Sequence, residues 1–226
     1  MNQKKLDEIF FAQIEKQREK NPLIGAQLGA KEIYHQIFEA IREPDGRLNV
    51  NPLLLACSGL AGMSCQMAVR EIAEQKEIPV KSALIEIGCQ NGTRYYMGDN
   101  LNYFLLENQY SVWSLAAGIY HHIAPDAKIP DIHQYAADCV SHLGDENYKI
   151  WGEFEEKDLI LSNRSLWEKL YPTAKKFCKT FNELPILFGL ALQFAIQDSA
   201  KVIEPEKCLT MVLENALFTA KLDYQI

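Results

Sequence analysis

Five residues that could bind a metal ion lie close together in the segment "GIYHHIAPDAKIPDIHQ": His121, His122, Asp126, Asp131 and His133. Imidazole and carboxylate groups together can hold zinc, iron or manganese. Adjacent residues of a helix point about 100° apart, however, so His121 and His122 rarely share one ion. The segment also lacks the H-x-x-x-H and H-E-x-x-H spacings, which place two ligands on one face of a helix.

We therefore interpret these histidines as structural or surface residues, and the sequence predicts neither a metal site nor a bound cofactor. An alternative is a small-molecule-binding protein or a metal-assisted hydrolase. Its site would lie between helices near His122 and His133, because clefts between helices are common binding sites.

The segment "YMGDNLN" is a second candidate, because its Gly98 precedes the predicted start of a helix. Backbone N–H groups at such a start can hold an anion, and Arg94 on the preceding strand could assist. Asp99 as a helix cap would occupy those donors and repel the anion. We interpret the segment as a helix start capped by Asp99 or Asn100, and keep Arg94 and Asp99 as candidate ligand-binding residues.

Motifs for nucleotide binding and for a serine nucleophile are missing from the sequence. Ser58 and Ser64 lie in "CSGLAGMSC", which does not have the G-x-S-x-G pattern of a nucleophile elbow. Trp151 stands in an acidic stretch, where it could anchor the chain or line a groove for a ligand. The sequence therefore favours a protein that is not an enzyme.

Composition excludes two classes of partner. The 226 residues carry a formal charge of −7, from 23 basic and 30 acidic side chains, without a basic stripe. Nucleic-acid binding needs clustered Lys and Arg, and anionic membrane surfaces attract basic rather than acidic proteins. The longest apolar stretches, "PLLLACSGLAGM" and "LPILFGLALQFAI", fall short of the roughly 18–20 residues that span a bilayer. We expect neither a nucleic-acid partner nor a membrane partner.

Cysteine usage and the N-terminus indicate the compartment. The six cysteines include no C-x-x-C pair and lie mostly among apolar neighbours, as free buried thiols do. The opening segment "MNQKKLDEIFFAQIEKQREK" has no apolar core of the kind found in a signal peptide. We expect a cytoplasmic protein without a disulfide framework.

Apolar residues recur with a helical period along most of the chain. Helices are predicted over about 3–19, 30–42, 52–77, 101–107, 111–124, 130–144, 163–181, 185–202 and 205–222. Asn21-Pro22 and the two glycines of "NPLIGAQLG" predict a break before the second helix. The fold class is therefore mainly α, a bundle-like single domain over 1–226 with one β-hairpin inserted at about 82–97. Two sub-lobes, 1–144 and 163–226, joined by an acidic connection at 145–162, are the alternative organisation.

The hairpin is predicted from Asn91-Gly92, which favours a two-residue type I′ turn. Opposed residues would then be Cys89–Arg94, Gly88–Tyr95, Ile87–Tyr96 and Glu86–Met97. One face would hold Ile85, Ile87, Cys89, Arg94 and Tyr96. This face is the more apolar of the two and is expected to dock on helices, with Tyr95 lying over Gly88 on the other face.

A lone two-stranded ribbon is marginal in water, and its edges expose unpaired backbone groups. Either the protein's own helices cover the ribbon, or a second copy pairs with it. A twofold dimer would join two hairpins into one four-stranded sheet. We expect a homodimer, with the hairpin edge as its candidate contact, and a protein that acts through protein–protein contacts.

Overall fold

Helices dominate the computed structural model, which describes residues 3–43, 45–89, 92–145, 147–151 and 153–224. In chain order the elements are α1 (Gln3–Gln17), α2 (Ile24–Ile41), α3 (Val50–Gln75), α4 (Val80–Ala83), β1 (Ile85–Gly88), β2 (Arg94–Met97), α5 (Asp99–Asn102), a π-helical turn (Tyr103–Glu107), α6 (Val112–Ile123), α7 (Ile132–Ser141), α8 (Glu156–Phe177), α9 (Glu183–Ser199) and α10 (Pro205–Thr219). The predicted fold class, mainly α with one inserted hairpin, is confirmed.

Helix α3 lies at the centre of the fold, as its apolar first half predicts. It packs mainly against α9 and α10, while α2 packs on α9 and α8. Gly62 lets the backbones of α3 and α10 approach closely, because a Cβ at this position would collide with the carbonyl of Ala216 in α10. Residues from both predicted sub-lobes belong to the same hydrophobic core.

Helix α3 is much longer than the apolar stretch "PLLLACSGLAGM", which alone was expected to be too short to span a bilayer. The whole helix is long and apolar enough to cross a membrane. In the structure, 89% of its most apolar window is buried. A core helix meets the same criterion of length and hydropathy, so these properties are weak evidence for a membrane span.

The predicted break at "NPLIGAQLG" is present but shorter than expected: the chain leaves α1 after Gln17, and α2 already begins at Ile24 instead of near Ala30. Gly25 and Gly29 lie inside this helix and face Phe177 of α8. A side chain at either glycine would collide with Phe177, so close packing offsets the roughly 1 kcal/mol that each glycine costs a helix. Tertiary contact therefore overrides the local helix-breaking signal.

The acidic connection is shorter than predicted, since α8 begins at Glu156 and includes 156–162. Glu156 and Asp158 fall in its first turn, where acidic side chains interact favourably with the helix dipole. Leu159 is buried and starts the face that packs on the core. Charged residues precede Leu159 in the sequence, so the helical period of apolar residues is not recognisable at the start of α8.

The hairpin register differs by one residue from the prediction. The pairs are Ile85–Met97, Glu86–Tyr96, Ile87–Tyr95 and Gly88–Arg94. The N–H of Cys89 donates to the carbonyl of Thr93 (2.8 Å), and Gly92 has a φ of +86°. These features fit a three-residue loop with a left-handed glycine, instead of the two-residue turn. Of the predicted turn pair, Asn91 lies outside the described residues.

This change of register alters which side chains share a face. Gly88 lies opposite Arg94 rather than Tyr95. Ile85 and Ile87 are exposed, so the predicted docking of that face is wrong. Tyr95 and Tyr96, which point to opposite faces, are both buried. Strand β2 is therefore enclosed on both faces, and β1 lies at the periphery.

Candidate functional site

Two contacts hold β2 in place, one on each face. On one face the hydroxyl of Tyr95 donates to Oε2 of Glu156 (2.6 Å) and accepts from the N–H of Gly144 (3.0 Å). On the other face the guanidinium of Arg70 lies 4.4 Å from the centre of the Tyr96 ring. Burial raises the pKa of Tyr95 to about 12, so its hydroxyl keeps the proton that it donates. The hairpin is therefore fixed to α3 and α8.

The chain segment after α10 covers the outer edge of β2. Tyr95 and Leu222 form an antiparallel bridge, and the N–H of Tyr96 donates to the carbonyl of Lys221 (2.8 Å). Buried Gln66 of α3 holds this segment, since its Nε2 donates to the carbonyls of Ala220 and Leu222 (both 3.0 Å). One edge of the predicted ribbon is thus covered by the protein itself.

The outer edge of β1 is open in the part of the chain that the structure describes. Residues of an antiparallel pair alternate between hydrogen-bonded and non-hydrogen-bonded positions. Because Cys89 pairs with Thr93, the alternation directs the N–H and C=O groups of Glu86 and Gly88 away from β2. No described backbone group bonds to them there. Gly88 adds no side chain that would obstruct an approaching strand.

The side chains of β1 give this edge an apolar face and a charged face. Ile85 and Ile87 are 62% and 40% exposed. On the opposite face, Glu86 lies 3.9 Å from the guanidinium of Arg94, which also binds Asp223 at 2.8 Å. The carboxylate of Asp223 holds the pKa of Arg94 above its ordinary value. Arg94, a predicted anion ligand, is thus paired with two acids.

Asp99 does not cap the helix that it was expected to cap. Helix α5 begins at Asp99, its cap position is Gly98, and no side chain forms a capping hydrogen bond. Asn100 instead donates through Nδ2 to the carbonyl of Ala83 (3.0 Å), which ties the start of α5 to the end of α4. Exposed Asp99 lies in the first turn, where its charge opposes an anion at this helix start.

Trp151 anchors the acidic connection to the helical core. Its indole Nε1 donates to the carbonyl of Met211 in α10 (2.9 Å), and its ring meets Phe154 edge to face. The backbone of Trp151 has a φ of +56°, a left-handed conformation that is uncommon outside glycine. Of the two roles predicted for Trp151, these contacts support the anchor.

The structure separates the histidines and aspartates of the "GIYHHIAPDAKIPDIHQ" segment. His122 is exposed in the last turn of α6, and His133 is exposed at the start of α7. Asp131 caps α7, with its Oδ1 accepting from the N–H of His133 (3.0 Å). Within the described ranges, no three His, Cys, Asp or Glu side chains are grouped so as to hold a metal ion.

His133 does lie at the rim of a cavity of about 600 Å³ between α6, α7, β2 and the π-helical turn, here called the α7 cavity. Its apolar walls are formed by Met97, Leu106, Trp113, Ile132, Ala136 and Val140. Its other lining residues are Asn102, Glu107, His133 and Lys221. The volume lies within the range of about 300–1,000 Å³ that is typical of small-molecule sites.

Sequence reasoning singled out only His133 among the residues that line this cavity, and it missed the buried Lys221. It is only 5% exposed, and its Nζ donates to the carbonyl of Leu217 (2.7 Å). Burial lowers the pKa of its ammonium group. A signal was present, because Lys221 continues the apolar helical stripe of Leu213 and Leu217 at a spacing of four residues.

All six cysteines are free thiols, and Cys57, Cys65, Cys139 and Cys208 are buried. Burial raises the pKa of each of these four thiols. Buried protonated thiols are weak nucleophiles, so these cysteines pack as small apolar side chains.

Comparison with known proteins adds no assignment: no family model matches the chain, and neither a curated protein nor a solved structure is similar to it.

Proposed function

We propose that this protein acts through protein contacts and forms a homodimer along the outer edge of β1. The observation that carries the proposal is the asymmetry of the hairpin. The segment after α10 pairs with β2, whereas no described backbone group pairs with β1 on its outer side. An open strand edge is a template for pairing with another chain.

Hydrogen-bond geometry selects the register of such a dimer. A twofold axis through Ile87 sets Glu86 of one copy opposite Gly88 of the other, so all four outward-facing residues pair. An axis through Glu86 would oppose two glutamates, and like charges directly opposite each other are destabilising. The axis through Ile87 therefore forms the ladder without that repulsion.

Charge complementarity also supports a second copy as the occupant. In this register, Glu86 of the second copy would lie beside Gly88, which is itself paired with Arg94. No side chain at Gly88 separates the two charges. Each Arg94 could therefore contact a Glu86 from each copy, and the twofold axis would generate this pair twice.

The exposed isoleucines set the expected strength of the dimer. Fully burying an isoleucine contributes about 1.5–3 kcal/mol, and association costs roughly 4–15 kcal/mol before any contact is counted. Ile87 would pack on its own counterpart, with the two copies of Ile85 beside it. Exposed Ile78 and Tyr103 line an apolar groove near the start of β1 and would extend the contact. We expect a dimer in the micromolar range.

Light scattering coupled to size exclusion tests the proposal. The mass should rise from 25.8 kDa toward twice that value as the protein concentration increases from about 1 to 200 micromolar. A constant monomer mass over this range would overturn the dimer. Titration with a second protein would then be the test of a heterologous contact.

Two alternatives from the sequence differ in their support. Metal-assisted hydrolysis near His122 and His133 has none in the described part of the chain, where no three potential ligands are grouped. Small-molecule binding is supported by the α7 cavity, whose rim includes His133.

A cytoplasmic location is supported by the six free thiols, which persist in a reducing compartment.

A further inference from the structure

The α7 cavity combines an apolar wall with a buried amine. Lys221 forms part of its lining, and its side chain is almost completely removed from solvent. Among the described residues, the Leu217 carbonyl is the one hydrogen-bond acceptor of Nζ, and no carboxylate forms an ion pair with it. A buried ammonium group without a counter-charge is costly. An anion in the cavity would supply that counter-charge.

Two further residues that carry hydrogen-bond donors line the same cavity. The amide of half-buried Asn102 and the indole N–H of half-buried Trp113 have no hydrogen-bond acceptor in the described part of the protein. A carboxylate has two oxygens and about four acceptor positions, so it can accept from several such donors at once. Glu107 on the rim would repel a bound carboxylate, but its side chain is exposed and solvent screens its charge. The enclosed part of the cavity therefore favours an acceptor.

The apolar part of the lining comes from four elements: β2, the π-helical turn, α6 and α7. Ile132, Ala136 and Val140 line the α7 side at helical spacing, while Leu106 and Trp113 line the opposite side. Val140 is 45% exposed, although it is a large apolar residue. An apolar ligand body would cover Val140 and contribute about 25 cal/mol for each Å² of apolar surface removed from water.

We propose that the α7 cavity binds a small organic acid with an apolar body, whose carboxylate pairs with Lys221. This inference rests on the small-molecule alternative and does not depend on the homodimer. Octanoate is a suitable probe because it has one carboxylate and a flexible apolar chain. The matched probe 1-octanol has the same chain without the charge.

Isothermal titration calorimetry of the full chain with both probes tests the proposal. Octanoate should bind more tightly than 1-octanol by about ten- to a hundredfold, the ratio expected for a hydrogen bond to a charged group. Lys221→Met keeps the apolar stem of the side chain and should lose the same factor toward octanoate alone. Lys128→Met, which replaces an exposed lysine, should bind octanoate as the unmodified protein does.

A cavity-filling variant tests the α7 cavity without changing Lys221. Ala136→Phe places a larger side chain in the cavity from its α7 wall and should weaken the binding of both probes. Equal affinity for octanoate and 1-octanol, unchanged in Lys221→Met, would overturn the carboxylate class and leave small-molecule binding standing. No binding of octanoate, checked at two temperatures so that a binding enthalpy near zero is not mistaken for absence of binding, would overturn the inference.

Discussion

The backbone N–H of Tyr96 donates to the carbonyl of Lys221 at 2.8 Å, which places the segment after α10 along β2. This bond gives the hairpin one covered edge and one open edge. The side chain of Lys221 lines the α7 cavity, as Met97 of β2 does. One residue therefore contributes to both features on which a function is proposed, the strand edge through its backbone and the cavity through its side chain.

Replacing Ile87 by lysine should dissociate the dimer and leave the fold intact. The change places two like charges beside the twofold axis, and lysine on an edge strand opposes strand pairing. We expect monomeric protein by light scattering at concentrations where the unmodified chain is dimeric, with an unchanged circular dichroism spectrum. Leu161→Lys is the matched control, because Leu161 is 67% exposed on α8. Equal dissociation by both variants would contradict a specific role for β1.

Gln66→Leu should destabilise the protein by releasing the segment that covers β2. The substitution removes three hydrogen bonds, two donated by Nε2 and one that Oε1 accepts from Nε of Arg70, and leaves the carbonyls of Ala220 and Leu222 without their buried donor. At about 1–3 kcal/mol for each of the two unsatisfied carbonyls, the free energy of unfolding should fall by roughly 2–6 kcal/mol. Urea denaturation measures this loss. Gln75→Leu, at an exposed position of the same helix, should change stability by less than about 0.5 kcal/mol.

Trp151→Phe should loosen the acidic connection at a modest cost in stability. It keeps an aromatic ring beside Phe154 but removes the hydrogen bond from Nε1 to the carbonyl of Met211. We expect a loss of about 1 kcal/mol and faster amide hydrogen exchange in residues 147–151. Trp113→Phe is the control, because its indole N–H has no acceptor in the described structure, and exchange in 147–151 should then be unchanged.

The stability difference between Lys221→Met and the unmodified protein should depend on pH. Burial lowers the pKa of Lys221 below its ordinary value of about 10.4. Between the folded and the unfolded pKa, the unfolded chain binds more protons, so the free energy of unfolding contributed by this group rises with pH. The methionine variant should be the more stable protein near neutral pH and lose that advantage as the pH rises through this interval.

The neighbouring buried thiols do not disturb this comparison. Cys65 of α3 and Cys139 of α7 face the Lys221 ammonium, and burial raises the pKa of both. Both thiols ionise in the unfolded chain of either protein, so their contributions to the free energy of unfolding cancel when the two proteins are compared. Thermal denaturation of both proteins over a pH series provides the measurement. A stability difference that stays constant with pH would show that Lys221 titrates as an exposed lysine does.

The helices were predictable from sequence because their apolar faces repeat with the helical period over long stretches. The errors lie where tertiary contact overrides a local signal. Gly25 and Gly29 signal a break, yet close packing on Phe177 keeps them within α2. The loop at Gly92 has three residues instead of two, and this single residue shifts every pair of the hairpin.

The candidate sites were harder to predict, because their residues meet only after folding. Lys221 and Trp113 are more than a hundred residues apart and line one cavity. The covering of β2 by Leu222 joins two segments with no shared motif. His122 and His133, which are close in sequence, are instead both exposed and do not form a cluster with other potential metal ligands of the described chain.

Oxidative cross-linking at Ile87 tests the central proposal, a dimer along β1, most directly. Non-hydrogen-bonded partners across an antiparallel pair have Cα atoms about 4.5 Å apart, within the roughly 4.4–6.8 Å that a disulfide requires. Ile87→Cys in a Cys89→Ser background should therefore form a covalent dimer of twice 25.8 kDa under mild oxidation. Leu161→Cys in the same background, and Cys89→Ser alone, should remain monomeric on a non-reducing gel. Cross-linking at position 87 that is no faster than at position 161 would contradict the account.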